Sequence, residues 1–147
     1  MPSNVYTAGL RNVGSYQVAG HPWITGSSDL DNNKVQMLEF PYVTKSFTVI
    51  NTNTSGDLRV HFHSGSTACS AAGVSTDIAD TDPVIAKFHF ITVPAGNGSV
   101  TFDVKCKRAF VSNGSGTNNL KYEVFAELTG INTDNMYHLT GSGHTST

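Results

Sequence analysis

The sequence predicts an all-β protein: a single-domain antiparallel β-sandwich, of jelly-roll or immunoglobulin-like strand order, with little helix. Three observations carry this expectation. Short runs alternate apolar and polar residues, most clearly Leu58-Arg59-Val60-His61-Phe62-His63. A strand sends successive side chains to opposite faces, so this spelling describes a sheet with one dry and one wet face. The gaps between the runs are filled almost wholly by Gly, Ser, Thr, Asn and Asp, which favour turns. No apolar stripe at helical spacing persists through a window of about 11 residues.

In chain order, strands are expected near 15–19, 23–25, 35–40, 46–51, 58–63, 84–93 (with a break), 99–106, 109–112, 122–129 and 136–139. This cadence is that of a sandwich or barrel. The inward parity would bring together Val35 and Met37 or Leu38 and Phe40, then Phe47, Val49, Leu58, Val60 and Phe62. Phe88, Phe90, Val100, Phe102, Val104, Tyr122, Val124 and Ala126 or Phe125 complete that core. Burying each Phe or Val is worth about 1.5–3 kcal/mol, which in sum outweighs the entropy of the many glycines.

Between the strands, Asn53-Thr54-Ser55-Gly56-Asp57 and Pro94-Ala95-Gly96-Asn97-Gly98 supply positive φ and local side-chain hydrogen bonds. Each is expected to close a hairpin. The run 113–119 reads as a loose surface loop and a contact tip. Residues 64–82, rich in Gly, Ser, Ala and Thr, read as an excursion that leaves the sandwich and returns at Pro83. At most a turn of helix is expected there, at Asp77-Ile78-Ala79-Asp80. The organisation expected is therefore an arm over 1–13, a sandwich over 14–140 and a tail over 141–147.

The 147 residues suffice to bury roughly two thirds of the surface that the unfolded chain exposes. Only 14% are charged, so neutral polar groups must keep the surface wet. A net charge of -2 provides no broad basic field for a phosphate backbone, which argues against nucleic acid as a partner. The local cluster Lys105, Lys107, Arg108 reads as a charged strand end that discourages sheet-to-sheet sticking. Met1 to Tyr6 shows neither the basic nor the apolar region of a secretory signal, and no apolar stretch is long enough to span a bilayer. No membrane association is expected.

Reactive chemistry is sparse. Cys69 and Cys106 are too few for a disulfide framework and lack the CxxC spacing of zinc or redox sites. A single bridge between them stays open, as does Cys106 as a small buried hydrophobe. His61 and His63 at i, i+2, with His89 on another strand, are weak metal candidates that want carboxylate support, for which Asp82, Asp103 and Glu123 are only notional. Among Asp29, Asp31, Glu39, Glu123 and Glu127, no spacing singles out a glycosidase-like pair. No nucleophile elbow, HExxH or phosphate loop occurs, so an enzyme is not expected, nor any cofactor. Trp23 with Tyr16, Tyr42 and Tyr137 is a candidate stacking platform for sugar.

Glu39-Phe40-Pro41-Tyr42-Val43-Thr44-Lys45-Ser46-Phe47-Thr48-Val49-Ile50-Asn51, followed by Leu58-Arg59-Val60-His61-Phe62, resembles a group of small virion structural proteins of tailed bacteriophages, particularly those of marine cyanobacteria. Phe102 to Lys107, Tyr122 to Ile131 and Met136 to Gly143 extend the likeness over most of the chain. The resemblance implies a non-enzymatic particle component on the capsid exterior. Capsid decoration (cement) comes first, and a tail, neck or fibre part is the variant. The implied partners are the major capsid protein or other virion proteins, with self-association into a homo-oligomer. Tyr6, Leu10, Val13, Trp23, Met136 and Tyr137 are the interface residues expected, the first three on an arm that orders on contact. A carbohydrate-binding, lectin-like module is the competing expectation.

Overall fold

The computed structural model describes residues 21–63, 69, 71–86 and 88–135, and among these it has nine strands and one short helix. The strands are β1 (His21–Leu30), β2 (Lys34–Glu39), β3 (Tyr42–Asn51), β4 (Leu58–His61), β5 (Thr76–Asp77), β6 (Ile91–Val93), β7 (Ser99–Phe102), β8 (Arg108–Asn113) and β9 (Leu120–Asn132). A single helical turn, α1 (Pro83–Ala86), precedes β6, and a 3-10 turn, Thr133–Asn135, follows β9. All pairings between strands are antiparallel.

One sheet has the order β1-β9-β3-β7 and the other β5-β2-β8-β4-β6. With the two-residue β5 set aside, the first strand pairs with the last, the second with the next to last, and so inward to β4 with β6. That is one long hairpin rolled up, and the contacts β3 with β9 and β4 with β8 are the seams made by rolling. Rolled this way, the chain is a jelly roll. Successive strands therefore change sheet at nearly every connection. Both hairpin expectations fail for this reason. The turn 53–57 joins β3 to β4 and 94–98 joins β6 to β7, each crossing from one sheet to the other. The turn chemistry itself is present, with Gly56, Gly96 and Asn97 at positive φ. Asn51 ties the two corners together, its Nδ2 donating to the carbonyls of Gly56 at 2.9 Å and Val93 at 3.1 Å.

The core between the sheets holds Leu38, Phe40, Phe47, Val49, Leu58, Val60, Phe102, Val111, Tyr122, Val124 and Ala126. Phe47 lies at its centre, with ring centroids 4.9 Å from Phe102, 5.3 Å from Phe40 and 6.0 Å from Phe62. A polar tie crosses this core: Tyr122 Oη donates to Gln36 Oε1 at 2.6 Å, and Gln36 Nε2 donates to Ser75 Oγ at 2.9 Å.

Four further expectations are corrected by the structure. The described part of the excursion does not leave the sandwich, because Ile78, Val84 and Ile85 pack on Val35, Met37 and Phe110 to form a second core on the outer face of the five-stranded sheet. Residues 84–86 are helical rather than extended, since Asp82 caps them: its Oδ1 accepts from Val84 N at 3.0 Å and its carbonyl accepts from Ile85 and Ala86 N. Phe88 is not core but 78% exposed. The loop 113–119 is not loose either. Buried Asn113 accepts from Ser115 N and donates to the carbonyls of Leu30 and Thr117, while Asn32 and Asp31 accept from Gly116 N and Asn119 N. The strands expected at 15–19 and 136–139 lie outside the described residues, as do the arm 1–13 and the tail 141–147.

Candidate functional site

The two outer faces of the sandwich differ. In the five-stranded sheet β2 is buried on both sides, with Val35, Gln36, Met37 and Leu38 all at most 6% exposed, because the returning chain covers the outside. The four-stranded sheet has no such cover among the described residues. Its central strand β9 alternates strictly from Leu120 to Ala126, so Lys121, Glu123 and Phe125 point outward.

Strand register sets the neighbours of Phe125. Ile24 of β1 lies on one side and Thr48 of β3 on the other, and Thr48 in turn faces Thr101 of β7. The row Ile24–Phe125–Thr48–Thr101 thus crosses the whole sheet, closed at one end by a 2.8 Å hydrogen bond between the two threonine hydroxyls. The next row is Gly26–Glu123–Ile50–Ser99. Ile24 is 75% and Phe125 42% exposed, and Glu123 and Glu127 stand on either side of Phe125 along β9. Three strand spacings by the length of β9 give a surface of roughly 600 Å², close to the ~800 Å² one partner contributes to a standard interface.

Comparison with known proteins finds no family model that matches this chain and no similar curated protein. The arrangement of its own residues therefore carries the functional reading.

Of the interface residues expected from sequence, only Trp23 is described, and it faces inward. It stands at the opposite parity to Ile24 on β1, with its ring edge-on to Phe40 at 5.1 Å. The residue next door is the exposed one, because a step of one along a strand changes the face. Tyr42 is 44% exposed but makes no ring contact with Trp23, so the sugar platform is not assembled among the described residues. Tyr6, Leu10, Val13, Tyr16, Met136 and Tyr137 lie outside those residues.

His61 is buried and stacked on Phe110 at 5.6 Å. Its Nδ1 lies 2.7 Å from the carbonyl of His63, which can only accept, so Nδ1 carries the proton and Nε2 accepts from the Ser112 hydroxyl at 3.1 Å. Both ring nitrogens are thus engaged within the protein. Burial pushes its pKa down to about 4, against weaker support from the His63 carbonyl and Asp82. Among the described residues no three His, Cys, Asp or Glu side chains gather as a metal ion needs, so His61, His63 and His89 do not form a centre. Cys69 and Cys106 are not bridged. Cys106 is fully buried, its Sγ 3.4 Å from Thr44 Oγ1, and burial raises its pKa to about 11. Glu123 and Glu127 are four positions apart on one strand, about 13 Å, beyond the ~5–9.5 Å of a glycosidase pair. Among the described residues the exposed face thus presents Ile24 and Phe125 between the carboxylates of Glu123 and Glu127.

Proposed function

We propose that this chain is a non-enzymatic structural protein of a tailed-bacteriophage particle, one that decorates the capsid and bridges neighbouring coat subunits. The observation that carries the reading is the asymmetry of the sandwich. One outer face is sealed by the chain's own excursion, and the other, among the described residues, displays Ile24 and Phe125 within a polar frame. The occupant of that open face is a coat subunit. Apolar side chains on the coat meet Ile24 and Phe125, and basic groups on it meet Glu123 and Glu127. Repetition over a lattice turns a modest contact into large total stabilisation. The resemblance of the strand spellings to small virion proteins supports the same role, and the jelly roll is an architecture used in capsid domains.

Counting this polypeptide against the major coat protein in purified particles tests the proposal. A ratio near that of the coat subunits is expected. A handful of copies makes it a neck or tail part instead, and absence from particles overturns the reading altogether. Ile24→Glu with Phe125→Glu should leave the fold intact by circular dichroism while abolishing attachment to heads. Undiminished attachment of the doubly substituted protein would remove this face from the proposal.

A further inference from the structure

A second feature lies on the other sheet, facing away from Ile24 and Phe125. Arg59 on β4 points outward between Ser112 of β8 and Thr92 of β6. Its guanidinium is part-buried, 5.1 Å above the Phe90 ring, and is seated over Gly114, where a Cβ would collide with it. Among the described residues it makes no hydrogen bond and no ion pair; the carboxylate whose charge acts on it is that of Asp80. Its fork of donors instead opens on a cleft of about 390 Å³ lined by Gly56, Asp57, Arg59, Thr92, Gly114 and Ser115.

Asp57 stands two positions before Arg59 and is exposed. Its Oδ1 accepts from Ala95 N at 3.0 Å, which orients the carboxylate and leaves its second oxygen open. The carboxylate and the guanidinium line the same cleft without pairing with each other. Gly114 makes room for the guanidinium itself, which fixes where its donors stand in the cleft.

We propose that this cleft binds a neutral, hydroxyl-rich ligand, a saccharide, with Arg59 donating to its oxygens and Asp57 accepting from its hydroxyls. Charge selects the class. An anion would gain Arg59 but meet the carboxylate of Asp57, with Asp80 already acting on the charge of Arg59, and a cation would meet the guanidinium. A sugar hydroxyl both donates and accepts, so it satisfies both partners with no net charge. Phe88 adds a second, independent observation. It holds a φ of 58° at the end of α1, a position where glycine or asparagine is the usual occupant, and its ring is 78% exposed at 6.0 Å from Phe90. Outside the cleft lining and next to the aromatic that carries Arg59, this exposed ring offers a ligand that extends past the cleft a flat apolar surface for the C–H face of a sugar.

The test is an NMR titration of the full chain with neutral disaccharides (maltose, cellobiose, lactose), and with glucuronate and a glutamate-rich peptide as acidic probes. At about 10 mM a site with a Kd of about 1 mM is about nine-tenths filled. At least one neutral sugar should shift the amides of Gly56, Asp57, Thr92, Gly114 and Ser115 saturably. Arg59→Gln and Asp57→Asn should each weaken it about tenfold or more, and Phe88→Ala severalfold. Gly114→Ala, which displaces the guanidinium without removing a charge, should do the same with native amide dispersion retained. Silence with every neutral sugar overturns the proposal. So does binding of glucuronate or the peptide that tightens in Asp57→Asn, which would mark a site for acidic ligands. Head attachment through Ile24 and Phe125 should be unchanged in all four variants, so this inference and the decoration role fail separately.

Discussion

At the scale of single residues, His61 gives the fold a pH dependence. Its folded pKa of about 4 lies below the unfolded value near 6.5, so the unfolded chain binds more protons between those two values. Stability is therefore level above about pH 6.5 and falls on acidification towards pH 4, by on the order of 3 kcal/mol from this group. Urea midpoints measured across that window should drop in the native chain and drop less in His61→Asn. An identical acid slope in the two proteins would place the proton uptake elsewhere. The cysteines should also differ in the folded state. Cys106 is fully buried with its pKa raised to about 11, whereas Cys69 is only part-buried, with a smaller upward shift from the same cause. A thiol reagent should label Cys69 first and reach Cys106 only on unfolding; labelling of both at one rate would contradict the packing.

At the scale of elements, α1 shows what an element owes to its cap. Asp82→Ala removes the acceptor of Val84 N and should cost about 1 kcal/mol, with faster hydrogen exchange at Ile85 and Ala86. Asp82→Asn, which keeps an acceptor, should recover most of the loss. The Asp82-Pro83 pair is a helix-start signal readable in the sequence, yet the apolar residues Val84, Ile85, Phe88 and Phe90 spell a broken strand more loudly. Elements with strict alternation were legible: β4 and β9 contain the runs that period two picks out, and β2 and β8 match to within a residue. Phe125 against Ala126 was not settled, and Trp23 reads as the exposed residue where Ile24 is, because a run that is apolar on both faces has no parity to read. That ambiguity is why the exposed face escaped sequence reasoning. Its only signal was Glu123 and Glu127 bracketing Phe125 at even spacing. The turns at 53–57 and 94–98 were legible as turns, but which strands they join depends on partners dozens of residues away.

At the scale of the whole molecule, the sandwich class was readable from cadence, while its rolled order was not, since local spelling carries no record of which strand lies beside which. The open face and the sealed face also predict an unequal response to charge. Glutamate at Ile24 or Phe125 should move stability by no more than about 0.5 kcal/mol, as for other surface positions. Glutamate at Val35 or Met37, on the outer face of the other sheet, should be severely destabilising, because each would carry an unpaired charge into the second core. Chemical denaturation of the four variants checks this, and equal losses would mean that the two faces are alike.

The pairing of β1 with β9 bears on how the protein is made. Leu30 meets Leu120, roughly 90 residues later in synthesis. At about 5–20 residues per second, the ribosome needs on the order of 5–20 s to deliver that partner. Through this interval the first strand, with Trp23 and Ile24, is a sticky ribbon awaiting its mate. High-level expression should therefore strain the nascent chain long before the finished protein, and slower translation or a chaperone holding that ribbon should raise the soluble yield.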